Sequence, residues 1–278
     1  MFEPSPQPEG LENVRLVLTD MDGSLLLEDS TIPDGLEERI DALESVGAEL
    51  AVASGRPMYT LRDNLGPLFD KMMVIADNGG LVFDRGKLLF QTNLKVEDYR
   101  RMACVTRERG DFGFVCGIEG CYVDRRALAW EDFIRNFYSK CTFVDDLTTL
   151  DVEADKYTVL FPNNDAMDKI DSYRAEIGDE FSYACGGIMW VDIVPDGVSK
   201  GTAINKISEL TGIGTDEMAA FGDAPNDATM LENVGFGYMM ANAVPEMRRH
   251  ANLVAPSNEE RGVLQVIDQI VAAHKAVR

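Results

Sequence analysis

Residues 14–25 read VRLVLTDMDGSL, an apolar stretch that ends in two aspartates, a glycine and a serine. The apolar part, residues 14–19, predicts a short strand that is buried on both faces. Asp20 then lies where this strand leaves the sheet. Ligands bind at that edge of open α/β sheets, because the loops there surround a crevice. The stretch therefore predicts a parallel sheet with two carboxylates, Asp20 and Asp22, at its binding edge.

The spacing of the two carboxylates suggests a metal site. Asp20 and Asp22 can face the same crevice if the turn at Gly23 bends the chain back. Two close anions repel each other unless a cation lies between them, and a hard divalent metal prefers such oxygen ligands. A solvated acidic turn would have the same local sequence, so the rest of the chain has to decide between the two interpretations.

Length and charge narrow the class of protein. The chain has 278 residues, enough for a large core and for two domains, since one hydrophobic core seldom grows beyond ~250 residues. Hydrophobic residues make up 45% and charged residues 27%, as in globular proteins. The formal net charge of −22 opposes contact with phosphate backbones and anionic lipid. We therefore expect neither nucleic acid nor a membrane as a partner.

The cysteines and the N-terminus predict a cytoplasmic location. The first ten residues lack both a basic region and an apolar core, so we expect no signal peptide, and no apolar run approaches the ~18 residues of a membrane span. The two histidines have no acid or nucleophile beside them, and we assign them surface or packing roles. The cysteines are odd in number and never form a CxxC pair, which favours reduced thiols over a disulfide framework or zinc site: Cys104, Cys116, Cys121, Cys141 and Cys185.

After Asp22 the pattern alternates between helix and strand. Pro33 and Pro57 each open a helix, as proline commonly does in the first helical turn. Apolar runs over residues 48–53 and 72–76 predict two further buried strands. Strands that alternate with helices indicate right-handed βαβ units and a parallel sheet.

The pattern changes after residue 80. Residues 81–90, LVFDRGKLLF, predict a hairpin, because a glycine separates two apolar runs. About a hundred residues then interleave helices with strands, which indicates an inserted α+β domain. We interpret Trp130, Phe133 and Trp190 as part of its core. The insert is predicted to contain helices over 96–109, 127–138 and 165–177 and strands over 114–123, 156–161, 181–184 and 189–194.

The parallel pattern resumes at residue 198, where VSKG opens a helix. The remaining segments alternate again, which returns the chain to the first sheet. They are predicted to form strands over 218–222, 236–240 and 253–255 and helices over 226–232 and 262–273.

Polar groups follow the predicted parallel strands at the points that phosphate chemistry requires. Ser54 follows the second strand, Lys200 precedes a late helix, and Asp223 follows the strand at 218–222. Strand ends of one parallel sheet converge on one edge, so we expect these groups beside Asp20. Phosphoryl transfer needs neutralised phosphate oxygens, donors that hold the phosphate, an in-line nucleophile and an acid for the leaving oxygen. The chain supplies a candidate for each.

Five motifs occur together in this order: DMDGSL (20–25), SGRP (54–57), DNGG (77–80), VSKG (198–201) and GDAPND (222–227). With these motifs the chain resembles the haloacid dehalogenase-like (HAD) superfamily, and within it the Cof-type phosphatases of subclass IIB. The resemblance spans about residues 14–270. It implies an α/β fold with a Rossmann-like parallel-sheet core over 11–90 and 191–278 and an inserted α+β cap domain of the C2B type over 91–190.

The resemblance also implies roles for individual residues. Asp20 would be the nucleophile that forms an aspartyl-phosphate, and Asp22 would protonate the leaving oxygen and then activate water. Magnesium would bind between the carboxylates of Asp20 and Asp223 and the carbonyl of Asp22, with Asn226 and Asp227 nearby. Ser54 and Lys200 complete the catalytic set, and the implied phosphate-binding and substrate-binding set is Gly23, Ser54, Gly55, Arg56, Asn78, Lys200 and Asn226.

Two departures from the family pattern leave the catalytic groups in place. Ser24 stands where threonine is usual, which retains the hydroxyl, and Ala224-Pro225 stands where many members have Asn or Gly with a small residue. The resemblance thus implies a magnesium-dependent phosphatase, an enzyme acting on a small phosphorylated metabolite. A phosphomutase is the alternative. A carbon–halogen hydrolase would not need Asp22, and the DxD spacing and the insert disfavour a phospho-aspartate receiver. The sequence leaves the substrate and the oligomeric state open.

Overall fold

The structure, a computed structural model, describes residues 1–185 and 187–278. Its strands are β1 (Leu16–Thr19), β2 (Glu49–Ala53), β3 (Met73–Ala76), β4 (Leu81–Asp84), β5 (Lys87–Gln91), β6 (Phe112–Gly117), β7 (Gly120–Asp124), β8 (Cys141–Val144), β9 (Lys156–Leu160), β10 (Phe181–Cys185), β11 (Trp190–Pro195), β12 (Met218–Gly222), β13 (Phe236–Met240) and β14 (Leu253–Ala255). Its helices are α1 (Leu36–Val46), α2 (Met58–Leu65), α3 (Val96–Arg109), α4 (Glu131–Arg135), α5 (Ala166–Ile177), α6 (Lys200–Thr211), α7 (Ala228–Glu232) and α8 (Gly262–Ala276).

The first sheet has the strand order β14-β13-β12-β1-β2-β3-β4-β5. Its first six strands are parallel, and β4 and β5 continue the edge as an antiparallel hairpin. All four residues of β1 are buried, which matches its continuous apolar sequence, because helices cover both faces of the sheet. Helices α1, α2 and α8 pack on one face, and α6 and α7 pack on the other. Because β1 lies between β12 and β2, its carboxyl end lies at the centre of the binding edge.

The second sheet has the order β10-β11-β9-β6-β7-β8 and is antiparallel except between β7 and β8. Helices α3 and α5 pack on one of its faces. The opposite face carries an aromatic cluster that contains Phe114, Tyr138 and Trp190, and Tyr59 of α2 packs into the same cluster. The two sheets therefore contact each other beside the loop that precedes α2.

These observations confirm the predicted fold class, an α/β parallel-sheet core with an α+β insert. Within the insert, two predictions of local structure were wrong and one strand was missed. The predicted strand 114–123 is the hairpin of β6 and β7, whose turn runs from Gly117 to Gly120. The predicted helix 127–138 is α-helical over Glu131–Arg135 and begins with a 3-10 turn at Arg125–Trp130. Strand β8 was not predicted, because its sequence CTFV is too short to give a clear periodicity.

The predicted domain border at 190/191 falls inside a strand. Strand β11 pairs with β9 and β10, so the second sheet extends to Pro195. The chain returns to the first sheet through residues 196–199, where Gly197 has a φ of +75°. The remaining borders, and the C2B type of the insert, stay predictions. No helix among the described residues is long and apolar enough to cross a membrane.

Candidate active site

Asp20 lies at the end of β1, at the centre of the sheet edge. Its backbone N–H donates to the carbonyl of Phe221 at 2.9 Å, which ties it to β12. The Nζ atom of Lys200 donates to Oδ1 of Asp20 at 2.5 Å and to Oδ1 of Asp227 at 2.6 Å. Lys200 is fully buried and is the first residue of α6, whose N-terminus is capped by Ser199. The helix start thus holds a cation against the two carboxylates.

Lys200 and three aspartates form what we call the Lys200 cluster: Lys200, Asp20, Asp223 and Asp227. One carboxylate oxygen from each aspartate lies within 4.8 Å of the others. Burial raises the pKa of Asp20 well above its usual value, Lys200 opposes this increase, and Asp227 and Asp223 add to it. Burial and the nearby Asp227 also raise the pKa of Asp223 to about 7. The cluster therefore contains more negative charge than its single lysine neutralises, and this is the environment that a divalent cation stabilises.

The loops of the cluster leave no room for larger residues. Gly23 has a φ of +81°, and a Cβ atom there would lie 2.4 Å from Oδ2 of Asp223. Ser24 donates its hydroxyl to Oδ1 of Asp223 at 3.1 Å, so the substitution of serine for threonine retains this bond. Asp227 uses Oδ2 to accept the backbone N–H groups of Asp223 and Ala224, at 3.0 and 3.1 Å. Both Asp227 oxygens are therefore engaged, and this residue shapes the loop.

Asp22 lies beside the Lys200 cluster but pairs with a different partner. Arg56 donates Nε to Oδ2 of Asp22 at 2.8 Å and Nη2 to Oδ1 at 2.6 Å. The Asp22 side chain is 52% exposed, whereas the Asp20 side chain is 9% exposed. The two carboxylates of the DxD motif thus occupy different environments, a buried one next to a lysine and a solvated one next to an arginine.

The loop after β2 forms the other side of the site. The Ser54 hydroxyl accepts the backbone N–H of Arg56 at 3.1 Å, and the Ser54 carbonyl accepts the N–H of Asn78 at 3.0 Å. A Cβ atom at Gly55 would lie 3.0 Å from Nδ2 of Asn78, so this close approach favours glycine. Asn226 donates Nδ2 to Oδ1 of Asn78 at 3.1 Å, which joins the loops after β3 and β12.

A cavity of about 340 Å³ opens at this edge. Seven of the predicted site residues line it: Asp20, Asp22, Ser54, Gly55, Arg56, Asn78 and Asn226. The other four, Gly23, Lys200, Asp223 and Asp227, are not part of its lining. The structure thus brings all predicted site residues to one edge, with Lys200 and Asp227 buried against Asp20.

The sequence interpretation missed the aromatic residues of the cavity. Phe137, Tyr138 and Trp190 line it, and we call them the aromatic wall. The interpretation of Trp190 as core was therefore incomplete, because its ring belongs to the aromatic cluster and also borders the cavity. Trp130 and Phe133 pack against that cluster, as the core interpretation requires. The run FIRNFY at 133–138 was the available signal.

A second charged cluster was also missed. Lys156 of β9 is fully buried and lies 2.8 Å from Oδ1 of Asp77 and 3.3 Å from Oδ2 of Asp192. Its Nζ atom donates to the carbonyl of Gly55 at 2.7 Å. With the neighbouring buried Asp155, these residues form what we call the Lys156 cluster: Lys156, Asp77, Asp155 and Asp192. A lysine and an aspartate within apolar strands, in KYTVL and WVDIV, were the available signals.

Comparison with known proteins supports the same fold. The enzyme 5-amino-6-(5-phospho-D-ribitylamino)uracil phosphatase YbjI of Escherichia coli (strain K12) is 26% identical over 266 residues, which cover 93% of this chain and 97% of that protein. The crystal structure of SMU.1108c from Streptococcus mutans UA159 matches with a TM-score of 0.88 at 23% identity, covering 93% of this chain and 99% of that chain. The subclass IIB sugar phosphatase BT4131 matches with a TM-score of 0.80 at 20% identity, covering 92% and 98%.

The family model described as haloacid dehalogenase-like hydrolase matches residues 17–267, which is most of the chain. The matched range contains all five motifs and both halves of the first sheet. The predicted resemblance to the haloacid dehalogenase-like superfamily is thereby confirmed, and the narrower assignment to Cof-type members of subclass IIB stays a prediction. The chain belongs to the haloacid dehalogenase-like hydrolase family.

Proposed function

We propose that this hydrolase is a magnesium-dependent phosphatase that removes phosphate from a small metabolite through an aspartyl-phosphate on Asp20. The observation that carries the proposal is the position of Asp20. Its buried carboxylate borders a cavity, is held by Lys200, and lies near a second, solvated carboxylate, Asp22. Two carboxylates in different environments can take different roles in one reaction. The proposal includes the cytoplasmic location that the sequence predicts.

The acidic residues of the Lys200 cluster fit a divalent metal. Asp20 and Asp223 each offer a carboxylate oxygen, and these lie within 4.8 Å of one another and of an oxygen of Asp227. Asp22 would contribute its backbone carbonyl, while Asn226 and Asp227 support the loop around the ion. Bound magnesium would neutralise charge on the phosphoryl oxygens.

The protein groups account for the two chemical steps. An Asp20 oxygen forms a bond to phosphorus as the bond to the leaving oxygen breaks, and Asp22 gives that oxygen its proton. Asp22, now ionised, then takes a proton from water, which attacks phosphorus and releases inorganic phosphate and free Asp20. Ser54, Arg56 and Asn78 line the cavity and would hold the phosphate, while Lys200 keeps Asp20 in position.

The test is phosphate release from a panel of phosphate esters, with and without magnesium, by the wild type and by Asp20→Asn. We expect Asp20→Asn to abolish turnover, because an amide is a poor nucleophile. Asp20→Asn that retained substantial activity, together with no covalent phosphate in a rapidly quenched wild-type reaction, would contradict the aspartyl-phosphate route.

Asp22→Asn separates the two roles proposed for Asp22, protonation of the leaving oxygen and activation of water. General acid–base catalysis typically contributes ~10²–10⁴-fold, so hydrolysis of alkyl phosphates should fall by about that factor. With p-nitrophenyl phosphate, whose leaving group needs no proton, the variant should release one equivalent of nitrophenol in a burst. Phosphate should then accumulate on the peptide that contains Asp20, as measured by mass spectrometry. A variant without a burst and without phosphopeptide would contradict the role of Asp22 in the second step.

A further inference from the structure

We propose that the leaving group of the substrate carries a single aromatic or heteroaromatic ring, which packs against the aromatic wall. This inference rests on the proposed function, since it names the class of ester that the same site would hydrolyse. The cavity of about 340 Å³ is near the lower limit of ligand pockets, which usually span ~300–1,000 Å³. Such a volume suits a small leaving group beside the phosphate.

The aromatic wall is supported from behind. The ring centroid of Trp190 lies 5.6 Å from that of Phe137 and 5.7 Å from that of Tyr138. Phe133 stacks on Trp190 with an interplanar angle of 8° and a centroid distance of 5.9 Å, and Phe114 contacts its edge at 5.4 Å. Rings packed on one another keep their positions, so the wall offers preformed ring surfaces, tilted by 56° and 48° against Trp190, against which a ligand ring can pack.

Two polar side chains that the insert contributes to the cavity, Asp192 and Tyr138, are already paired within the protein. Asp192 accepts the Thr158 hydroxyl at 2.6 Å and the Asn78 amide at 2.7 Å, in addition to its contact with Lys156. The Tyr138 hydroxyl donates to Thr158 at 3.1 Å. A polyhydroxylated leaving group would therefore lose hydrogen bonds to water and regain few from this side of the cavity, which is costly for a buried hydroxyl. A hydrocarbon ring has no hydroxyl groups that would lose hydrogen bonds to water.

The residues proposed to hold the phosphate and the aromatic wall meet at Arg56. The guanidinium carbon of Arg56 lies 5.8 Å from the centroid of the Phe137 ring, while two of its nitrogens bind Asp22. A ring joined to the phosphate by a short linker would thus reach Phe137 directly from the phosphate site.

The first experiment compares two esters of primary alcohols, benzyl phosphate and glucose 6-phosphate, with the wild-type protein and magnesium. Their leaving groups differ in shape and polarity rather than in the type of bond that breaks. Aromatic contacts are worth about 0.5–1.5 kcal/mol beyond area burial, and about 1.36 kcal/mol is tenfold in rate, so we expect kcat/KM for benzyl phosphate to be about two- to tenfold higher. Equal values, or a preference for glucose 6-phosphate, would overturn the inference.

A variant at Phe137 tests whether the aromatic wall causes the preference for benzyl phosphate. Phe137→Leu retains an apolar side chain but removes the ring, so the ratio of kcat/KM for benzyl phosphate to that for acetyl phosphate, which has no ring, should fall about fivefold through a higher KM. Leu128→Ala, at an exposed position of the same insert, is the matched control and should leave that ratio unchanged. Thermal unfolding confirms that both variants are folded. Trp190→Phe keeps an aromatic ring and should retain most of the ratio. A ratio that Phe137→Leu does not change would overturn the assignment of the wall.

Acetyl phosphate also separates the two proposals. If the wild type hydrolyses it with magnesium, Asp20→Asn does not, and benzyl phosphate is not preferred, then the ring inference is wrong and the proposed function stands. If the wild type hydrolyses none of these three phosphate compounds, both the ring inference and the proposed function are wrong.

Discussion

The Lys200 and Lys156 clusters contain the same types of residue, a lysine and aspartates, but differ in how their charges are paired. Each contains a fully buried lysine within 3.3 Å of two aspartates. Around Lys200, Asp223 remains partly accessible with a pKa of about 7, and Asp20 borders the cavity. The negative charge there is in excess and can be reached by ligands.

In the Lys156 cluster Asp192 also lines the cavity, but its carboxylate is already paired with Lys156, Thr158 and Asn78. The lysine of this cluster contacts Gly55 and Asp77 of the first sheet's loops and Asp192 of the second sheet, so it joins the two sheets. Burial, and then the nearby Asp77, raise the pKa of Asp155 well above its usual value, so proton uptake by Asp155 relieves part of the negative charge. Two buried ion pairs thus differ in function because one leaves charge for a ligand and the other uses it to hold two sheets together.

Replacing each lysine by methionine gives the largest expected difference between the clusters. Lys200→Met should lower kcat by about 10²–10³-fold, because a preorganised positive charge beside the reacting carboxylate is lost. Lys156→Met should lower kcat much less, and its main effect should be a loss of about 3–5 kcal/mol in the free energy of unfolding, the usual result when a buried charge loses its partner.

The measurements are steady-state kinetics with acetyl phosphate and urea unfolding of both variants. The comparison fails if Lys156→Met reduces kcat as strongly as Lys200→Met while its unfolding midpoint remains that of the wild type.

Magnesium should distinguish the clusters by a smaller effect. At a concentration 100 times its Kd, an ion that binds the folded state alone adds about 2.7 kcal/mol of stability, which raises the melting temperature by several degrees. Asp223→Asn should remove most of this shift, because it takes a carboxylate from the Lys200 cluster. Asp77→Asn, the matched change in the Lys156 cluster, should retain it. A melting temperature that does not respond to saturating magnesium would count against the metal site.

The smallest expected effect concerns Asp155. A carboxyl group whose pKa is raised by folding binds its proton more tightly in the folded state, so wild-type stability falls as the pH rises above the unfolded value of 3.8. Asp155→Asn mimics the protonated form and lacks this loss. Its free energy of unfolding should therefore gain on that of the wild type as the pH rises above 3.8, at about 1.4 kcal/mol for each pH unit until Asp155 ionises in the folded state. If the free energies of unfolding of the two proteins changed in parallel with pH, the raised pKa of Asp155 would be contradicted.

Much of the first sheet could be predicted because its signals are local. The parallel strands are mainly apolar runs, and the loops after three of them carry the motifs DMDGSL, SGRP and GDAPND. The insert was harder to predict. Strand β8 has four residues, β6 and β7 merge into one apolar stretch, and β11 crosses the predicted domain border. Strand partners are chosen by contacts far along the chain, which local periodicity does not record.

The amino-acid sequence was enough to identify the family, the order of the strands that carry polar ends, and the residues that converge on one sheet edge. These depend on short motifs and on the rule that parallel strand ends share an edge. The tertiary structure decided which charges are neutralised: Asp22 binds Arg56, Asp227 is saturated by Lys200 and two backbone N–H groups, and Lys156 joins the two sheets. It also decided that Phe137 and Trp190, 53 positions apart, form one wall. Burial and pairing are properties of the packed chain, because each arises only when distant segments exclude water together.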